Sequence, residues 1–271
     1  MFFECKMEKF ETIEVIAGKG SRKIILNRPE KHNAMNALMI SEIRKAIAYL
    51  GENNNVKVIL ISSNGKSFSS GADLKYMSEQ ADMSLKENIQ DSMNLAKMFY
   101  EIFTCPKPVI TISHGIIAGG ANGIIAASDF ALTEDNSTFR FSEVHLGLVP
   151  ATISPYIIDR IGRARAMELL LSARKFNGKE AEQYNLVNKA VKQEEIQNEI
   201  DEITGSFMRA APEAIRETKK LLLKLAGFSA FKNLMDETAN IIAEARASEE
   251  GKEGINSFFE KRKPSWIDEK I

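Results

Sequence analysis

The chain has little cysteine, little histidine and no surplus of either charge, and each shortage argues against a class of function. Cys5 and Cys105 are its two cysteines. They build no disulfide framework and neither sits in a CxxC pair, so we expect two free thiols in a reducing cytoplasm. The three histidines, His32, His114 and His145, lie far apart without HExxH spacing, which argues against a structural zinc site and leaves no metal ligand set. Lys and Arg number 36 against 37 Asp and Glu, so no cationic excess exists to displace counterions from nucleic-acid phosphate. The N-terminal MFFECKMEKF lacks the apolar core of a signal peptide, and Glu4 and Glu8 count against an Arg-rich transit sequence. No run approaches the ~20 apolar residues of a membrane span. What is present is 44% hydrophobic and 27% charged residues, the balance of a soluble globular chain able to bury a large core. At roughly 150 residues per domain, the length fits one large domain or two modest ones.

Along the chain, Thr12–Ala17 and Arg22–Asn27 read as strands around a Gly18–Gly20 turn. Ala34–Leu50 has helical periodicity, with Leu38, Ile43, Ile47 and Leu50 apolar. Val56–Ile61 is a β-rich run, Leu85–Phe103 a looser helix ended by Pro106 and Pro108, and Val109–Ser113 another strand. A glycine-rich turn at Gly115–Gly123 leads into a helical run at Ile124–Ala127, and Phe130–Thr133 is the next strand. Strands alternating with helices imply βα crossovers and a largely parallel sheet, hence an α/β fold. From about Ala164 no further strand is expected. Ile196, Ile200, Ile203 and Phe207 recur at helical steps, and Glu194–Phe259 reads as helix. The change of pattern divides residues 1–190, a mixed α/β core, from residues 191–271, a helical region packing on the core or on a neighbouring subunit.

Several apparent motifs fail. The GKS at Gly65–Ser67 lacks its phosphate-loop glycine, since position 60 is Leu60. Gly18–Lys19–Gly20 opens a dinucleotide fingerprint that ends on Lys23. No GxSxG elbow occurs, and the sequon Asn136–Thr138 stands in a chain without a secretory signal.

Two glycine-bearing segments remain, SFSSGADLK (67–75) and SHGIIAGGANG (113–123), each directly after a strand, where ligands bind in α/β sheets. Glycine lets a ligand approach the backbone, and a helix N-terminus offers unpaired N–H groups. If the amides of Ala72 and Gly120 converge they form an oxyanion hole; the alternative is a pair of tight turns. Glu143 stands between Phe141 and Val144. A carboxyl group in apolar surroundings has a raised pKa and can pass a proton near neutral pH; the alternative is a surface glutamate or ion-pair partner.

Taken in order, LNRPEKHNAMN (26–36), SFSSGADLK (67–75), KPVITISHGIIAGGANG (107–123), FSEVHLGLVP (141–150) and the C-terminal FFEKRKP (258–264) resemble the enoyl-CoA hydratase/isomerase (crotonase) superfamily over nearly the whole chain. The resemblance implies a spiral of ββα units with a helical C-terminal trimerisation region, acyl-CoA as substrate, CoA arriving within the thioester with no further cofactor, a cytoplasmic enzyme, and a homotrimer or homohexamer. It assigns the thioester oxygen to the N–H groups of Ala72 and Gly120 and the acid/base role to Glu143. It implicates the backbone near Lys31, His32 and Asn33, along with Asp73, Leu74 and Lys75 and with Phe258 and Lys261 of this or a neighbouring subunit, in holding the substrate and its CoA. Asp73 is also read as the cap of the helix after its loop, and His114 as structural. Hydratases of the family carry two glutamates, and the first falls here on Gly123. The segment SEVHLGLVPATISPYIIDRIG (142–162) is similar to that of methylglutaconyl-CoA hydratase-type members, which implies a lyase of leucine breakdown; Arg140, His145 and Thr152 are sequence-near candidates for a distal carboxylate. The alternatives are a Δ3,Δ2-enoyl-CoA isomerase, a general short-chain hydratase, or a non-catalytic acyl-CoA binder.

Overall fold

In the computed structural model, residues 9–227 and 231–267 are described. Cys5, the N-terminal segment 1–8 and residues 228–230 of the expected helical stretch lie outside them. Nine strands are described: β1 (Ile13–Ala17), β2 (Ser21–Leu26), β3 (Val58–Ser63), β4 (Val109–Ser113), β5 (Ile116–Ala118), β6 (Phe130–Glu134), β7 (Thr138–Arg140), β8 (Phe176–Asn177) and β9 (Lys189–Val191). The helices are α1 (Ala37–Glu52), α2 (Leu74–Ala81), α3 (Leu85–Thr104), α4 (Gly120–Ala127), α5 (Ser154–Ser172), α6 (Gly178–Gln183), α7 (Ile196–Arg209), α8 (Pro212–Leu225), α9 (Phe231–Ala247) and α10 (Glu249–Phe259). Six strands form one sheet in the order β1-β2-β3-β4-β6-β9, parallel except for the β1–β2 hairpin. The other three form a small sheet, β5-β7-β8.

The inner strands are apolar on both faces because both are covered, as parallel sheets require. Successive side chains of β3 alternate between the two sides. Ile59 and Ile61 enter the main core beneath α1 and α3, while Val58 and Leu60 join Ile110, Ile112 and Leu132 in a second core. Ile200 closes that second core, with Ile196, Ile203 and Phe207 packed against it. The periodic apolar residues of α7 therefore lie on this chain's own sheet. Helices α9 and α10 also fold back on it, α9 along α3 and α10 against the 143–146 segment.

Three expectations are corrected. Strands do not cease at Ala164: β8 and β9 follow, with two and three residues, too short to show a period. Lys189, Ala190 and Val191 pair with Leu132, Thr133 and Glu134, so the change of pattern near residue 190 falls on the last strand of the large sheet. The glycine-rich stretch after β4 is not one turn, for it contains β5 and the first half of α4. Its glycines are poor helix formers, but tertiary packing fixes them there. Finally, α1 begins at Ala37 rather than Ala34. His32 and Asn33 are left-handed at φ 48° and 51°, and Asn36 caps the helix by accepting from Met39 N at 2.9 Å.

Candidate active site

The ends of β3 and β4 carry the two glycine-bearing loops, and short bridges pin them to each other. Ser69 N–H donates to Ile116 O at 3.2 Å, and Ala118 N–H returns a bond to Ser69 O at 3.0 Å. On the other side, Met35 N–H donates to Gly71 O at 2.7 Å and Asp73 N–H donates to Met35 O at 2.8 Å. This is a parallel bridge between Met35 and Ala72. Such a bridge uses the neighbours of Ala72 and leaves its own N–H directed away from Met35. Ala72 is exposed. Gly120 opens α4, where an N–H has no partner within the helix.

The loops meet at Gly119. A Cβ placed on that glycine would lie 3.8 Å from Gly71 Cα and 3.6 Å from Glu143 Oε1. The glycine just before Gly120 thus faces the other loop and the carboxyl group together. Glu143 starts the 3₁₀ turn Glu143–Leu146. The residue as a whole is half-buried, but Oε2 is buried without a hydrogen-bond partner. Burial drives the carboxyl pKa up to about 7, while the main-chain amides of Glu143 and Ser142 draw it down.

No carboxylate stands at the other family position. A Cβ on Gly123 would lie 2.5 Å from Ile153 Cγ2 and 2.7 Å from Phe99 Cε1. Both neighbours are buried, and with Met35, whose Cε would lie 2.8 Å from a Cβ on Gly120, they form an apolar wall behind α4. Among the described residues, no three His, Cys, Asp or Glu side chains gather as a metal site.

The remaining sequence candidates separate. Asn33 is buried and fully engaged: its Nδ2 donates to Asn64 O and Ser67 O at 2.7 and 2.9 Å, and its Oδ1 accepts from Arg28 N at 2.8 Å. It stitches loops together, and its side chain is closed to a ligand. Lys31 and His32 are exposed beside it, with His32 Nδ1 3.1 Å from Ser67 Oγ. Asp73 is also committed, since its Oδ1 caps α2 through Lys75 N and Tyr76 N and its Oδ2 pairs with Arg28 Nη2 at 2.7 Å. Both groups hold the Asp73 pKa down against the opposing effect of burial, which is the largest single influence. Leu74 and Lys75 are exposed, and Lys75 Nζ lies 3.6 Å from Glu79. Phe258 and Lys261 are exposed at the end of α10, on this chain's own C-terminal helices. Among the described residues, no hydrogen bond or ion pair joins them to the Lys31–Asn33 or Ala72–Lys75 segments. Of the three candidates for a distal carboxylate, Arg140 donates from Nε to Ala173 O at 3.0 Å and its Nη2 lies 2.6 Å from His145 Nδ1, so these two face each other. Thr152 is buried next to Ile153. His114 is 2.9 Å from Gly65 O, as a structural histidine should be. Cys105 is buried, which pushes its thiol pKa up.

Sequence reasoning missed Asn122, Phe99 and Ile153. Asn122 had a signal, as the one amide in a run of glycine and alanine; Phe99 and Ile153 had none, because each reaches the site from a distant element.

Comparison with known proteins concerns the chain as a whole. The chain is 31% identical to crotonyl-CoA hydratase of Syntrophomonas wolfei, covering 90% of this chain and 93% of that one. It is 31% identical to the peroxisomal Δ(3,5)-Δ(2,4)-dienoyl-CoA isomerase of Arabidopsis thaliana, covering 95% and 98%. The crystal structure of an enoyl-CoA hydratase from Shewanella pealeana superposes with a TM-score of 0.79 at 34% identity, over 96% of this chain and 97% of that one. The fold is that of the crotonases, with a helical C-terminal region. The sequence model described as Enoyl-CoA hydratase/isomerase matches residues 18–269, and with the fold and these relatives it establishes that the chain is an enzyme of the enoyl-CoA hydratase/isomerase family.

Proposed function

We propose that this enzyme hydrates a methylglutaconyl-type enoyl-CoA, with the amides of Ala72 and Gly120 on the thioester oxygen and Glu143 as its one acid/base. The observation that carries the reading is that Glu143 Oε1 and Gly71 Cα both lie within 4 Å of where a Cβ on Gly119 would stand, which brings the carboxyl group to the neighbours of both candidate amides. Two fixed N–H dipoles draw charge onto the thioester oxygen, which makes C3 electrophilic and stabilises an enolate more than the ground state. The Glu143 carboxylate takes a proton from water as the water oxygen bonds to C3, and the C2–C3 electron pair moves onto the thioester oxygen. Return of that proton from Glu143 to C2 completes the addition and restores the carboxylate. A pKa near 7 suits a group that must both accept and donate. The 142–162 segment is the support for the methylglutaconyl acyl group. CoA enters as part of the substrate, no separate cofactor takes part, and the enzyme works in the cytoplasm. Lys31, His32, Lys75, Phe258 and Lys261 are the proposed CoA contacts; lysine meets phosphate as a mobile point charge.

The apolar wall at Gly123 favours a second reading, Δ3,Δ2-isomerisation, which needs one base alone. There Glu143 removes a proton from C2 and returns it to C4. Turnover of methylglutaconyl-CoA, crotonyl-CoA and a 3-enoyl-CoA in ¹⁸O-labelled water separates the two. Label in the product hydroxyl, with methylglutaconyl-CoA preferred, is the expected result. Double-bond migration without label would replace hydration by isomerisation, and binding without turnover of any of the three would leave an acyl-CoA binder.

A further inference from the structure

In a trans peptide the N–H points opposite to the preceding carbonyl, so whatever holds the carbonyl aims the amide. Gly71 O is held by Met35 N–H, which directs the Ala72 amide. The Gly119–Gly120 peptide is less constrained by its own chemistry. Gly119 has φ 53° and ψ −129°, a conformation glycine reaches easily, and glycine by itself does not fix which way the next peptide plane faces.

Asn122 does. It is wholly buried in the first turn of α4. Its Nδ2 donates to Gly119 O at 3.1 Å and to Arg140 O at 3.0 Å. Both neighbours are carbonyl oxygens, so the amino end of the amide must face them. The same carbonyls already accept main-chain bonds, Gly119 O from Asn122 N at 3.0 Å and Arg140 O from Gly119 N at 3.2 Å. Neither oxygen therefore needs the side chain in order to be paired. Meanwhile Asn122 Oδ1 is left buried without a partner. An apolar side chain of similar volume would relieve that orphan oxygen and leave both carbonyls satisfied. What it would lose is a second anchor on Gly119 O and the tie from that oxygen across to β7.

We infer that Asn122 is a positioning residue that aims the Gly120 amide at the substrate oxygen. The inference rests on the oxyanion reading above, and the experiment separates the two. The carbonyl stretch of [1-¹³C]butyryl-CoA, a saturated thioester that cannot turn over, is recorded by infrared difference spectroscopy free and bound to wild type, N122L and N122S. Binding is measured by calorimetry and kcat and KM with the substrate that wild type converts. In wild type the stretch falls on binding. In N122L it moves back toward the free value and kcat drops about tenfold to a hundredfold with KM nearly unchanged, short of the 10²–10³-fold loss for removing an oxyanion donor outright. N122S, with one hydroxyl donor, falls between, and it decides the matter if N122L fails to fold. A folded variant that polarises the carbonyl as wild type does overturns the inference, whether or not its kcat has fallen. No shift in wild type itself overturns the oxyanion reading, and the inference with it.

Discussion

Glu143 combines two properties that ordinary surface carboxylates lack: a buried oxygen with no partner and a pKa raised to about 7. The shift has a sign for stability as well as for chemistry. The folded state holds the proton more tightly than the unfolded chain, whose glutamate titrates near 4.5. Stability is therefore greatest below the unfolded value and declines as the pH rises through about 7. The decline amounts to at most roughly 3 kcal/mol. Glu143→Gln removes the titrating group, so the variant should melt above wild type at pH 8 and the gap should close toward pH 4.5. In the same variant kcat should fall by about 10²–10⁴. Thermal melts across pH and steady-state kinetics check both halves; a wild-type melting curve that tracks the variant at every pH would mean that the carboxyl is not held in a dry site.

At the scale of elements, the helix that follows the 67–75 loop is tied to the C-terminal helices. Asp73 caps α2 directly after Ala72. Farther along α2, the Tyr76 hydroxyl donates to Asp91 Oδ1 and Gln80 Nε2 donates to Asp91 Oδ2 at 2.6 Å. From α9, Arg246 Nη1 lies 3.4 Å from the same Asp91 oxygen and donates to Ser92 Oγ at 3.0 Å. Arg246 is 8% exposed, and truncating it removes a charged donor from Asp91 and Ser92 while Tyr76 and Gln80 stay on Asp91, at a cost of about 1.5–3 kcal/mol. Arg246→Met and Asp91→Leu measured singly and together by urea unfolding should give a double variant far less destabilised than the two losses added; additive losses would show that the two groups do not interact. The sequence made this scale only partly legible. The β3 and β4 runs are continuous because both sheet faces are covered, and they can be read directly. Helix α5 escaped notice because Gly162, at φ 73° and ψ 159°, breaks it, so its apolar residues keep no single helical phase. The pairing of Arg246 with Asp91 spans most of the chain and leaves no local pattern.

Over the whole molecule, motif order carried the family while composition carried little beyond the capacity to bury a core. The nearness of Gly71 and Glu143 Oε1 to Gly119 left no local pattern in the sequence, since three separate loops supply it. Nor could periodicity tell whether the C-terminal helices cover their own core or a neighbour's. Helix α10 covers its own: a methyl on Gly254 would overlap the Leu146 carbonyl, and one on Gly147 would overlap that of Glu250, so it sits in backbone contact with the turn that bears Glu143. The exposed Leu171, Leu222 and Leu225, at 64%, 60% and 73%, leave apolar surface uncovered on the outside of the described residues. The seating of α10 then has a consequence for mixtures. When wild-type and Glu143→Gln protomers are unfolded together and reassembled in varying ratio, each competent chain brings its own roof and its own acid, and turnover should decline in a straight line with the inert share.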